Sequence, residues 1–401
     1  MREFPVIKKY RTYIIYASSI FFGKGLEYIS ILIIAYLLTK EEYGLFEFYK
    51  KTIELFSVFI AFGTPSLILT YTKSRGSKVN FFVISIAMAF MLALLSFLIL
   101  SFSKYAILVA PVLYYATFHY SNSITQSYNL VEKGSIFSSK YKYIFSIFFN
   151  GLLLLIVYCV DNKAKSIIYV SYPLLIIGVL YFFYDFNIEY NKGSFAFLKK
   201  YYKVFKKQMF NSITLVLNSL SNTAFLVTDV YVIKHFIAEG VRNQLIADYS
   251  MVLNIANILL ILPLTLINVD LESYKKGFLD FEISLNKIYK FTIYLFFILC
   301  AFYFLLIRCF LLNYKNTFFL FIIIALAKVF QSFTMPYGVF LATRKFYTYN
   351  MYVNFMVLTL NIFLSVVLIN SYGVYGVAMA SIATLIVRFL LLKNKYANLK
   401  L

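Results

Sequence analysis

Apolar runs follow one another along nearly the whole chain, and most are long enough to cross a bilayer, for which about 20 residues suffice. Charges, Asn, Gly and Pro punctuate them. The pattern predicts twelve spans, at residues 12–38, 45–72, 80–102, 105–130, 137–160, 166–185, 208–235, 245–271, 287–311, 317–342, 347–369 and 374–392. The fold class expected is an all-α integral membrane protein. Connections are short. The longest runs from about Asp185 to Lys207, is basic, and falls mid-chain. It predicts a six-helix bundle over 1–190, a basic cytoplasmic linker over 191–207 and a second six-helix bundle over 208–401. Six is even, so both halves have the same orientation, as in transporters with parallel repeats. Each half opens with a long polar-studded helix, a short turn, a tyrosine (Tyr43, Tyr249) and a second helix carrying proline (Pro65, Pro263).

Composition agrees with this reading. Of 401 residues, 62% are hydrophobic and 14% charged, with a mean hydropathy of +0.78. A soluble domain is about a quarter charged, so a soluble globular protein is excluded, and no segment is left over to fold as a soluble catalytic domain. The first apolar stretch is too long for the core of a cleavable signal peptide, and none is expected. Cys159, Cys300 and Cys309 form no disulfide framework; the last two lie about 13 Å apart on one predicted helix.

The net charge of +21 comes from 38 Lys and Arg against 17 Asp and Glu. Its distribution decides its meaning. Loops on the side of the N-terminus carry 25 cations and loops on the other side 10, which orients both termini toward the cytoplasm. The charge therefore speaks of topology and anionic lipid heads rather than nucleic acid. Lys24, Lys328 and Arg388 remain, inside predicted spans, where a charge is costly unless it faces a polar interior.

Polar stripes mark such interiors. Lys24, Glu27 and Tyr28 share a face of the first helix, as a self-neutralising ion pair or a cavity cation tuned by a carboxylate. On the second helix, Glu47, Lys50, Lys51 and Glu54 stand near the outer end. Glu47 reads as part of a solvated helix end, whereas Glu54 lies deep enough for a buried role. His119, Asn122, Gln126 and Asn129 step by 3, 4 and 3 along the fourth span. Asn211, Asn218, Asn222 and Asp229 fall within roughly 20° of one line along the seventh. Asn254, Asn257 and Asn268 follow on the eighth, and Asn350, Asn354 and Asn361 on the eleventh. Lys328 and Gln331 precede Pro336 on the tenth, where the proline should bend the helix. Lone polar residues often serve only as glue between helices. Cations, amides and tyrosine hydroxyls together suit an anionic, sugar-bearing ligand.

Three stretches resemble the polysaccharide-transport branch of the multidrug/oligosaccharidyl-lipid/polysaccharide exporter superfamily. They are Leu37–Leu45 with Glu42-Tyr43-Gly44, followed by Phe62-Gly63-Thr64-Pro65; Thr228-Asp229 with Ala247-Asp248-Tyr249 about twenty residues on; and Tyr372-Gly373-Val374-Tyr375-Gly376 leading to Ser381. Asp248 stands where that family usually has Gly. The resemblance implies a Wzx-type flippase that moves undecaprenyl-diphosphate-linked oligosaccharide repeat units across the bacterial cytoplasmic membrane by alternating access. It also implies two six-helix bundles around a central cationic cavity. On that reading Lys24, Glu27, Tyr28, Asn122, Asn211, Asn218, Asn222, Asn254, Asn257 and Lys328 are candidate lining residues. Asp229, then Glu54, are the candidates for ion coupling. No cofactor and no catalytic activity is expected beyond H⁺ or Na⁺ coupling. Membrane lipids, the lipid-linked substrate, a polysaccharide polymerase and other assembly proteins are the partners expected. The alternatives are a drug or cation antiporter of the same superfamily, against which a cationic cavity argues, and a membrane glycan polymerase or ligase. The latter needs a large outer loop bearing a catalytic cluster, and the outer loops here are short.

Overall fold

The computed structural model describes residues 5–71, 75–103, 105–121, 123–190, 202–207, 213–261, 263–267 and 277–400. They are nearly all helical. The helices are α1 (Pro5–Leu37), α2 (Lys40–Ala61), α3 (Thr64–Tyr71), α4 (Arg75–Leu100), α5 (Val109–Thr117), α6 (Ile124–Tyr128), α7 (Ser135–Cys159) and α8 (Ser166–Tyr190). They continue as α9 (Ile213–Phe236), α10 (Glu239–Ala256), α11 (Phe278–Cys309), α12 (Phe318–Thr343) and α13 (Tyr347–Lys400). Backbone groups in hydrocarbon must be satisfied within their own segment, which is why apolar runs of this length become helices.

Among the described residues, seven helical runs are long and apolar enough to cross a membrane. The last of them, α13, has 54 residues and is two arms broken at Gly373, whose φ of 58° and ψ of −138° no helix contains. Counting those arms separately, and adding α1, α2 with α3, α9 and the broken segment around α5 and α6, the elements match the twelve predicted segments in order. The chain is an all-α, multi-pass membrane protein.

Two predicted spans are interrupted. Span 45–72 breaks at Phe62 and Gly63, both left-handed, with φ of 44° and 68°. Thr64 Oγ1 then donates to the Ala61 carbonyl at 2.7 Å, and Pro65 occupies the first turn of α3, where it sacrifices no hydrogen bond. Span 105–130 is not one helix: α5 ends at Thr117 and α6 begins at Ile124. Ser123 caps α6 by accepting from the Gln126 N–H at 3.2 Å, and His119 Nδ1 bonds locally to Ser121. Such local bonds compete with the helix ladder. His119 therefore shares no continuous helix with Gln126 and Asn129, as an even stripe would need, and Asn122 lies outside the described residues.

Two compact units divide the chain. The first comprises 1–31 and 49–220. In it α5 packs on α4 and α8, α6 on α3 and α4, and α7 on α8. Tyr141 donates its hydroxyl to the Phe118 carbonyl, holding the break between α5 and α6. The Phe118 ring lies so close to Gly178 that a Cβ there would overlap it. The helical turn 202–207, part of the mid-chain basic segment, docks through Phe205 edge-on to Phe81, with centroids 5.1 Å apart.

The second unit comprises 32–48 and 221–401. Helix α12 is its hub, packed against α10, α11 and both arms of α13. Phe281, Phe340 and Tyr396 form an aromatic triangle in the core, with centroids 4.5 to 5.2 Å apart. Each such pair adds about 0.5–1.5 kcal/mol beyond its burial. The start of α2 lies directly on α10. A Cβ at Gly44 would overlap the Asn243 carbonyl, and one at Gly376 the Leu368 carbonyl.

The glycines separate by mechanism. Gly44→Ala should cost about 1–3 kcal/mol through overlap with a backbone that cannot retreat. Gly373→Ala should cost a similar amount through its dihedrals alone. Gly151→Ala, inside α7 with nothing near its Cβ, should be neutral or stabilising by up to about 1 kcal/mol. Thermal unfolding of the purified protein in detergent checks the order.

Candidate functional site

Asp229 is the centre of the second unit's polar interior. It lies on α9 and is 5% exposed. Its Oδ2 accepts from the Tyr249 hydroxyl on α10 and from Ser381 Oγ at 2.8 Å on the second arm of α13. Its Oδ1 accepts from Asn361 Nδ2 at 3.1 Å on the first arm. Ser365 Oγ and Ser381 Oγ approach Asn361 Oδ1 at 3.5 Å, closing the network. A small cavity of about 10 Å³ adjoins it, lined by Asp229, Tyr249, Ser381 and Lys328 among apolar side chains. That is room for about one water. Lys328, 4% exposed, donates to Gln331 Oε1 at 2.9 Å and is near enough to Asp229 for their charges to interact. Two residues that the sequence placed on separate stripes thus share one chamber.

A second polar cluster lies where α2 meets α10. Glu47 is fully buried, which corrects its reading as a solvated helix end. Its Oε1 accepts from Asn254 Nδ2 at 2.9 Å and from the Tyr43 hydroxyl at 3.2 Å. Its Oε2 has no hydrogen-bond partner among the described residues, and neither has Asn257 Oδ1. Depth along the helix misled the sequence reading. The side of α2 that bears Tyr43 and Glu47 faces α10 from its first turn. Lys40 forms an ion pair with Asp248 at 2.6 Å on the same seam.

In the first unit the predicted cation at Lys24 is part of a network. Lys24 pairs with Glu27 at 2.7 Å, and Lys50 approaches the other Glu27 oxygen at 3.7 Å. Tyr120 reaches Glu27 at 3.4 Å, and Tyr28 is partly buried beside it. Lys51 pairs with Glu54 at 2.8 Å. Lys50 and Lys51 are 6% and 7% exposed. They belong to this interior and not to the outer-loop cations with which the sequence grouped them. His119 stacks on Tyr115 with centroids 4.3 Å apart and is packed among aromatic rings.

Asn122 and Asn211 lie outside the described residues, as does Asn268. Asn218 and Asn222 lie on α9, but their side chains are not among those described. Asn350 donates to the Gly338 carbonyl at 2.8 Å, beyond Pro336 inside α12.

Known proteins place this arrangement. The sequence profile of a family described as polysaccharide biosynthesis protein matches residues 10–269, more than half of the chain. The chain belongs to that family. No curated protein matches the sequence of this polysaccharide biosynthesis family member. Its fold is shared with solved membrane transporters. One is an inward-facing multidrug resistance MATE family transporter of the MOP superfamily, at 13% identity and TM-score 0.65, covering 97% of this chain and 99% of that one. Another is the Lipid II flippase MurJ in an inward closed conformation, at 16% and 0.62, covering 96% and 87%. A third is the Vibrio cholerae MATE transporter VcmN, at 10% and 0.62, covering 97% and 96%. The resemblance carried by Glu42-Tyr43-Gly44 and by Asp229 with Tyr249 is thereby a family relationship, while Tyr372-Gly373 lies beyond the matched residues.

Glu47→Ala should destabilise the protein by about 1–3 kcal/mol, because Tyr43 and Asn254 would lose their buried acceptor. Glu47→Gln, which keeps an acceptor oxygen, should recover most of that loss. Melting temperatures of the two variants in detergent distinguish the outcomes.

Proposed function

We propose that the protein is a flippase for polyprenyl-diphosphate-linked oligosaccharide repeat units in the bacterial cytoplasmic membrane. Family membership over residues 10–269 carries the reading. Buried cations in the first unit and the fold shared with a Lipid II flippase support it. The chemistry is direct. A diphosphate-sugar head cannot cross about 30 Å of hydrocarbon unaided. Ammonium groups such as Lys24 and Lys50 would take the place of water around the phosphates, and amides and hydroxyls would do so around the sugar, while the prenyl chain stays in lipid. No catalytic step is required of the chain. A polysaccharide polymerase and other assembly proteins would receive the translocated unit.

Return of the empty carrier would be driven by H⁺ or Na⁺ at a buried carboxylate. Asp229 is the first candidate, since it joins three other helical segments. Glu54, held by Lys51 at 2.8 Å, is the second. In proteoliposomes carrying a fluorescent lipid-linked oligosaccharide, Asp229→Asn should slow ion-driven translocation about tenfold or more, within the usual range of coupling energies. Full activity with unchanged pH dependence would remove Asp229 from this role. A deletion strain should lose surface polysaccharide and accumulate the lipid-linked unit.

The same proposal puts both termini in the cytoplasm. Cys159 and Cys309, exposed at the ends of α7 and α11, then face outward. A membrane-impermeant maleimide added to intact cells should label both, and a protease added outside should spare a C-terminal tag. Labelling only after lysis would invert the topology.

A further inference from the structure

Glu47 is a carboxylate for which the proposed transport cycle has no use. It is fully buried and belongs to the second unit, where the start of α2 lies on α10. Its two oxygens differ. Oε1 accepts from Asn254 Nδ2 at 2.9 Å and from the Tyr43 hydroxyl at 3.2 Å. Oε2 accepts from no donor among the described residues. No cation among them forms an ion pair with Glu47 either. The lysines of α2 turn to other carboxylates. Lys40 pairs with Asp248 at 2.6 Å, Lys50 approaches Glu27 at 3.7 Å, and Lys51 pairs with Glu54 at 2.8 Å. A buried carboxylate is costly unless a positive charge balances it.

The seam around Glu47 is rich in oxygen. Ser250, Asn254 and Asn257 fall within about 60° of one line along α10 and the turn that follows it. Asn254 is the residue that holds Glu47 Oε1. Ser250 Oγ and Asn257 Oδ1 are buried atoms with no hydrogen-bond partner among the described residues. The same is true of the Tyr314 hydroxyl, whose ring stands edge-on to Tyr43 with centroids 6.4 Å apart. Glu47 Oε2 and Asn257 Oδ1 are both acceptors, so neither can satisfy the other. A positively charged guest serves both.

We infer that Glu47 is the anionic ligand of an alkali-metal cation, with Asn257 Oδ1 and Ser250 Oγ as its neutral ligands, in a site separate from Asp229. The donors are oxygens, which suit a hard cation. One carboxylate balances one positive charge, whereas divalent cations held by protein usually draw on several. The ion neutralises Glu47 while Tyr43 and Asn254 keep Oε1 in place. It thereby fastens the start of α2 to α10, and its binding should stabilise the folded chain. This assignment does not depend on what the protein transports.

The test uses the purified full-length protein in detergent with Na⁺ alone as probe, NaCl being exchanged for choline chloride at constant ionic strength and pH. The wild type should show saturable ²²Na⁺ binding and a Na⁺-dependent rise in melting temperature. Asp229→Asn should keep both. Glu47→Gln, which preserves the shape of the side chain and removes its charge, should bind Na⁺ at least about tenfold more weakly and lose the rise. A wild type indifferent to Na⁺ overturns the inference. So does Na⁺ binding that survives Glu47→Gln at full strength, or that vanishes in Asp229→Asn. If Glu47→Gln is not recovered folded, Asn257→Ala decides: Na⁺ binding weakened about tenfold supports the site, and unchanged binding overturns it. No substrate enters this readout. A chain with the expected Na⁺ pattern that moves no lipid-linked oligosaccharide refutes the flippase reading alone, and an active flippase indifferent to Na⁺ refutes the cation site alone.

Discussion

The cost of a charge in hydrocarbon organises this molecule. An isolated ammonium or carboxylate at membrane depth is expensive unless it is paired or wetted. Several of the charges described above are paired inside their own unit: Glu27 between Lys24 and Lys50, Glu54 against Lys51, Asp248 against Lys40. Asp229 is held by three donors from α10 and the two arms of α13. These clusters act as fixed points around which an otherwise apolar bundle is registered. Lipid tails are as apolar as leucine, so hydrophobic contact alone would leave helix rotation weakly specified. The polar clusters supply the missing specificity.

Glycine supplies the second constraint, and it acts at the segments that mark the family. Gly44 lets α2 reach the α10 backbone, Gly63 ends α2 in a left-handed turn, and Gly373 folds one helical run into two arms. The motif glycines therefore have three separate physical duties: close approach, termination and reversal. Tyr43 and Tyr249, each beside a motif position, are both buried and each donates to a buried carboxylate, Glu47 and Asp229 respectively.

Much of the fold was legible because bilayer thickness sets segment length. The two unpredicted breaks, at Phe62-Gly63 and between α5 and α6, were not legible. Hydropathy does not register a left-handed residue, and a Ser-Asn-Ser sequence is polar in a helix or out of one. Of the candidate site, the Lys24–Glu27 pair and the centrality of Asp229 could be read from spacing and motif. Lys50 and Lys51 could not, since two adjacent lysines near a predicted helix end look solvated until the neighbouring carboxylates are in place. Glu47 was misread for the same reason. The meeting of Asp229 with Lys328 spans about a hundred residues of sequence, and no periodicity reports a contact of that range.

Asp229 has a consequence for how this sequence can change over time. Its carboxylate is the shared acceptor of Tyr249, Asn361 and Ser381, residues contributed by three other helical segments. Replacing any one donor leaves the other two still aimed at a buried charge, and replacing the acceptor strands all three at once. Neutral drift through single steps is therefore closed at these four positions. They are expected to vary together among relatives, if at all, as one inherited unit distributed over four stretches of the chain.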